Sequence, residues 1–117
     1  MRLMFHILKK SSKLNIDNTM LSLEEISDKL KEETKEVFFA IADYQDYKNF
    51  DKFKEIIKET FDVIQVCILI LWRAYKIAKE EYKKPNLIKE LNLEHKDKLI
   101  SNRQWEPVTG IEVIVKE

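Results

Sequence analysis

The chain has 117 residues, enough for one domain with a real core and too few for several. Its 21 lysines and arginines balance 21 aspartates and glutamates, so no global field draws in nucleic acid or an anionic membrane, and any phosphate ligand must be held by local charge. One glycine, Gly110, and two prolines, Pro85 and Pro107, exclude glycine-rich phosphate loops and dinucleotide folds, while 36% charged residues describe helices with solvated Lys/Glu faces.

The first apolar stretch, Leu3 to Leu8, is interrupted by His6 and followed by no small-residue cleavage site, so it is expected to belong to the fold. Ser22-Leu23-Glu24-Glu25 has the form of a capping box. Leu23, Ile26, Leu30, Val37 and Ile41 follow at helical spacing, which predicts a helix from about Leu23 to Tyr44. Tyr44 to Asn49 loses that period and serves as a polar connection, with a second start near Asn49 or Asp51. No breaker then intervenes before Pro85. The second helix is expected to reach about Lys83, on the order of 45 Å at 1.5 Å per residue, and to form an antiparallel hairpin with the first.

The middle of that helix, Val63 to Trp72, is apolar nearly all round and about half of what a bilayer span requires, so it reads as buried core. One other long helix cannot cover it, which implies a homo-oligomer built on this segment. Cys67 lies inside the run and reads as a buried structural thiol; a lone cysteine suits a reducing, cytoplasmic setting. Beyond Pro85, a short helix over Asn86 to Leu91 and another from Asn92, as its cap, to about Asn102 are expected to close over the hairpin. Ile111, Val113 and Val115 alternate with Glu112, Ile114 and Lys116, which predicts a strand over about 108–116. Either the Leu3 to Leu8 segment or the same tail of another subunit supplies its partner. The expected architecture is an all-α, oligomeric antiparallel helical bundle in one domain, with its core over 22–103 and a short C-terminal β-strand.

Two acidic clusters sit among these core-facing positions. Residues three apart on a helix project from one face, so Glu33 with Glu36, and Glu59 with Asp62, form two pairs, each bracketed by apolar residues along the expected seam between the helices. Ionised carboxylates held beside apolar residues require a positive partner or lose their charge. Hard divalent cations such as Mg²⁺ take oxygen ligands and keep waters that substrate phosphates can replace, whereas zinc prefers His or Cys, and His6 and His95 have no ligand spacing. The second pair opens the most apolar segment of the chain, where a merely solvated face is least expected.

Glu32-Glu33-x-x-Glu36 followed by Glu59-x-x-Asp62 on the next helix resembles the MazG-like all-α nucleoside triphosphate pyrophosphohydrolases, a superfamily that also holds dimeric dUTPases and phosphoribosyl-ATP pyrophosphohydrolases. The likeness covers about Ser22 to Trp72. It extends more loosely to His95-Lys96-Asp97-Lys98-Leu99 and to Arg103-Gln104-Trp105, similar to an Arg-Gly-Trp element of small phage-type members in which Gln104 replaces the glycine. The resemblance implies that Glu33, Glu36, Glu59 and Asp62 bind Mg²⁺, with Mn²⁺ as a substitute, and that Glu32 supports them or orients water. It further implies a homodimer or dimer of dimers that cleaves a nucleoside triphosphate to monophosphate and pyrophosphate.

Under that reading Glu32 or Glu36 accepts the proton of the attacking water, and Lys98 and Arg103 contact phosphate. Tyr44, Tyr47, Trp72 or Trp105 stacks on the base. The alternative from another class is a non-catalytic oligomeric helical module for regulation or interaction on the same scaffold. The phosphoribosyl-ATP reaction is a third possibility, and it needs room for a bulkier substrate.

Overall fold

A computed structural model describes residues 1–116, which divide into two compact units, Met1–Lys76 and a second beginning at Ile77. Among the described residues, three α-helices, one π-helical stretch and one two-stranded sheet make up the regular structure, so the chain is mostly helical.

The first unit opens with an antiparallel pair, β1 (Lys10–Ser11) and β2 (Ile16–Asp17), in which Lys10 faces Asp17 and Ser11 faces Ile16. Its turn is closed by the Leu14 N–H donating to Ser11 Oγ at 3.1 Å, and it places Asn15 at φ 53°, a left-handed value that asparagine tolerates. Asp17 accepts from both the N–H and the hydroxyl of Thr19, at 2.9 and 2.6 Å, and these bonds hold its carboxyl below the usual range. No strand period marks this hairpin in the sequence, because two-residue strands leave none.

Helix α1 (Leu23–Tyr47) starts at the expected capping box: the Glu25 N–H donates to Ser22 Oγ and the Ser22 N–H to Glu25 Oε1, both at 3.1 Å. It continues one turn past the expected end at Tyr44, and the Lys48 N–H closes it on the Tyr44 carbonyl at 2.8 Å. Helix α2 (Phe50–Glu80) begins at once, with Asn49 as its cap through the Lys52 N–H to Asn49 Oδ1 bond of 2.9 Å. Side chains of the two helices meet where Lys52 Nζ lies 3.9 Å from Asp43 and where the Tyr44 and Phe53 rings stand 5.8 Å apart.

The segment before α1 is fastened to α2. Arg73 donates to the carbonyls of Leu21 at 2.7 Å and Asn18 at 2.9 Å, Gln65 donates to the His6 carbonyl, and Phe5 meets Phe61 edge-on at 5.7 Å. The Leu3 to Leu8 segment thus belongs to the fold, without strand geometry. Even so, only Ile26 and Ala40 are buried among the described residues of this unit, and Phe38 and Phe39 are 69% and 61% exposed. The Val63 to Trp72 run is correspondingly only half-covered. Cys67 is exposed, not the buried thiol its apolar neighbours suggest, because α1 and the preceding segment cover α2 on part of its surface alone.

In the second unit, Lys83 at φ 55° turns the chain out of α2, and the Lys84 N–H donates to the Ala78 carbonyl at 2.8 Å just before Pro85. Helix α3 (Leu87–Asp97) follows and runs directly into a π-helical stretch, Lys98–Asn102. Two separate helices with a cap at Asn92 are therefore not formed. Asn92 lies inside α3, and its helix-breaking tendency is weaker than the continuous backbone ladder. Residues 103–116 contain neither helix nor strand, which corrects the strand expected over 108–116: the alternation is present, but no partner edge is. Among the described residues, no helix is long and apolar enough to cross a membrane.

Candidate metal centre

The helical frame of the first unit brings four carboxylates together. Glu33 and Glu36 come from the middle of α1 and Glu59 and Asp62 from α2, and one oxygen of each lies within 4.8 Å of the others. Three-residue spacing on each helix puts each pair on one face. Glu33 and Glu59 are half-buried, whereas Asp62 is exposed.

Among the described residues, no lysine, arginine or histidine forms an ion pair with them. Glu33 Oε2 and Glu59 Oε2 are shielded from solvent and receive no hydrogen bond. The neighbouring hydroxyls are committed elsewhere, since Thr34 donates to the Leu30 carbonyl at 2.8 Å and Thr60 to the Ile56 carbonyl at 2.7 Å. Lysines nearby on α2 pair with other acids, Lys54 with Asp51 and Lys58 with Glu55, each at 3.3 Å.

The electrostatic result is a cluster that resists ionisation. Glu59 is pushed up to about 7, first by the approach of the Glu36 carboxyl, which favours a shared proton, then by desolvation and by the charges of Glu36, Asp62 and Glu33. Glu33 is raised as well, by desolvation first and then by Glu36, Asp62 and Glu32. Glu32 thus acts on the cluster through its charge and is not one of the four converging groups.

The donor set fits a hard divalent cation. All ligand atoms are carboxylate oxygens, and Glu33 and Glu59 each carry one oxygen that no protein donor reaches. Oxygens on opposite sides of an octahedral Mg²⁺ stand about 4.1 Å apart and around Ca²⁺ about 4.6 to 5.2 Å, so the cluster, gathered within 4.8 Å, is on the scale of a hard-cation site without choosing between the two ions.

The other sequence candidates lie apart from this constellation in the chain. Lys98 opens the π-helical stretch and Arg103 follows it, its N–H donating to the Lys98 carbonyl at 3.0 Å, both within the second unit. Gln104 sits at φ 56°, in the left-handed region that favours glycine. Among the aromatic candidates, Tyr44 already packs on Phe53, and Trp72 stacks on Tyr75 at 5.4 Å, whereas Tyr47 and Trp105 are exposed. Sequence reasoning did not find Arg73, whose guanidinium ties the Asn18 to Leu21 backbone to the helix that carries Glu59 and Asp62. An arginine interrupting an apolar run was the available signal. No family model matches the chain, and no curated protein or solved structure is significantly similar to it.

Proposed function

We propose that this protein is a Mg²⁺-dependent nucleoside triphosphate pyrophosphohydrolase, cleaving a ribo- or deoxyribonucleoside triphosphate to the monophosphate and pyrophosphate. The observation that carries the reading is the convergence of Glu33, Glu36, Glu59 and Asp62, with two shielded oxygens that no protein donor satisfies. The likeness of these motifs to the MazG-like family supplies the reaction class. Contacts between α1 and α2 recede in opposite directions along the sequence, Tyr44 with Phe53 near the connection and Glu33 with Asp62 farthest from it, which supports an antiparallel helical hairpin as the scaffold.

Glu33, Glu36, Glu59 and Asp62 would hold the metal. Mg²⁺ when bound supplies Lewis-acid chemistry, lowering the pKa of a water and neutralising charge on the departing pyrophosphate, and Mn²⁺ can replace it. Glu32 or Glu36 then accepts the water's proton, because a carboxylate beside the attacking oxygen is the nearest base available. Lys98 and Arg103 contact the phosphates, and an exposed aromatic, Tyr47 or Trp105, supplies a face for the base. The poorly covered apolar surface of α1 and α2, Phe38 and Phe39 included, is closed by further copies of the chain in a homodimer or homotetramer. A free thiol at Cys67 suits a reducing cytoplasm.

The test is a pyrophosphate-release screen across ribo-, deoxy- and damaged nucleoside triphosphates, with and without Mg²⁺. The expected result is metal-dependent release of pyrophosphate and monophosphate from at least one of them. No product with either Mg²⁺ or Mn²⁺, together with no metal-dependent rise in melting temperature, overturns the reading in favour of a non-catalytic helical module.

A further inference from the structure

Residues 111–116 have the composition of a strand and the geometry of none. Ile111, Val113 and Ile114 are 92%, 81% and 72% exposed, and four of the six residues are β-branched and apolar. Such a segment is a template in search of an edge. Within the chain the edges are poor: β1 and β2 are two residues long each, and the Leu3 to Leu8 segment is already engaged by Gln65, by the Phe5–Phe61 contact and by Asn18 on the Leu8 carbonyl at 3.1 Å.

We propose that this segment pairs antiparallel with the same segment of a second copy of the chain, centred on Ile114. In that register Glu112 of each copy faces Lys116 of the other on one side of the ribbon, flanking Ile114 against Ile114. On the opposite side Val113 faces Val115 twice. Across residues 112–116 each charge meets its opposite and each apolar residue meets another, which is the pairing rule of antiparallel sheets. Competing registers lack this match. Parallel pairing sets Glu112 on Glu112 and Lys116 on Lys116, and moving the antiparallel centre by one residue sets Glu112 on Ile114 or Ile114 on Lys116.

An isolated two-stranded ribbon is marginal in water. The pairing therefore rests on the self-association proposed above, which supplies the effective concentration, and is independent of catalysis. The experiment uses the full chain in a Cys67→Ser background, with Ile114→Cys as the probe and Val108→Cys, outside the paired stretch, as the control. Opposed residues have Cβ atoms close enough for a disulfide, so Ile114→Cys should cross-link two copies about tenfold faster than Val108→Cys under mild oxidation. Adding Glu112→Lys should slow the reaction, and adding Lys116→Glu to that variant should restore it. Equal rates for the two cysteine variants, or no restoration by the charge swap, overturn the proposal. Sedimentation of the reduced protein separates the failures: an associated mass without preferential cross-linking removes the tail pairing alone, and a monomeric mass removes the association with it.

Discussion

Glu59 and Glu33 are the most perturbed groups of the acidic cluster, because each is a carboxyl placed where ionisation is disfavoured. In the metal-free protein the unfolded Glu59 titrates near 4.5 and the folded one near 7. The folded chain binds more protons than the unfolded chain between those values, so the stability this group contributes is complete below pH 4.5 and lost as the pH rises through about 7. The raised Glu33 acts in the same direction. Melting curves in a chelator should therefore fall in temperature from pH 5 to pH 8, and added Mg²⁺ should raise the melting temperature more at pH 8 than at pH 5. Glu33→Gln and Asp62→Asn should abolish Mg²⁺-dependent pyrophosphate release while leaving the metal-free melting temperature unchanged or higher, since each removes a repulsive charge. Full activity in both variants would separate these residues from catalysis. The convergence of the four carboxylates was legible because three-residue spacing is a direct statement about a helix face. The orphaning of two oxygens was not, since it depends on which donors the folded chain brings within reach of Glu33 and Glu59.

The long helices were readable at the level of elements because their starts are written in local chemistry, the Ser22 and Glu25 box and the Asn49 cap, whereas α2 stops at Glu80, short of the end near Lys83 that Pro85 suggests. What failed to read were elements whose identity comes from distant partners. Arg73 acts on carbonyls of Asn18 and Leu21, more than 50 positions away, and no local pattern announces that. Its replacement by Met should lower stability by about 1 to 3 kcal/mol, as expected for lost hydrogen bonds from a charged donor, and amide exchange should quicken over residues 18–21. Two residues past the π-helical stretch, Gln104 holds φ 56°, a conformation that costs a residue with a Cβ about 1 kcal/mol or more. Gln104→Gly should relieve it, and thermal or denaturant unfolding should register a gain of about 1 kcal/mol; a loss would show that the Gln104 side chain has a compensating contact.

Across the whole molecule, the feature that decides most is how little it buries. Ile26, Ala40 and Ala78 are the buried hydrophobics among the described residues, and no large side chain is fully enclosed. The apolar count of the sequence predicted a core, but a period of apolar residues says that a face is covered without saying by which chain. Self-association should consequently be strong: Phe38→Asp with Phe39→Glu should lower the sedimenting mass of the protein, and an unchanged mass would assign those aromatics another role. One detail of the acidic cluster acquires a meaning at this scale. Among the described residues no cation pairs with the cluster, so a shared proton is the alternative to a bound cation, and that alternative is lost as the pH rises through about 7. If the proposed site binds a divalent ion, its supply should set how long the folded chain survives as well as whether it works. Chelated samples above pH 7 should then be digested faster by a protease than Mg²⁺-replete ones, and equal rates of digestion would count against the metal site.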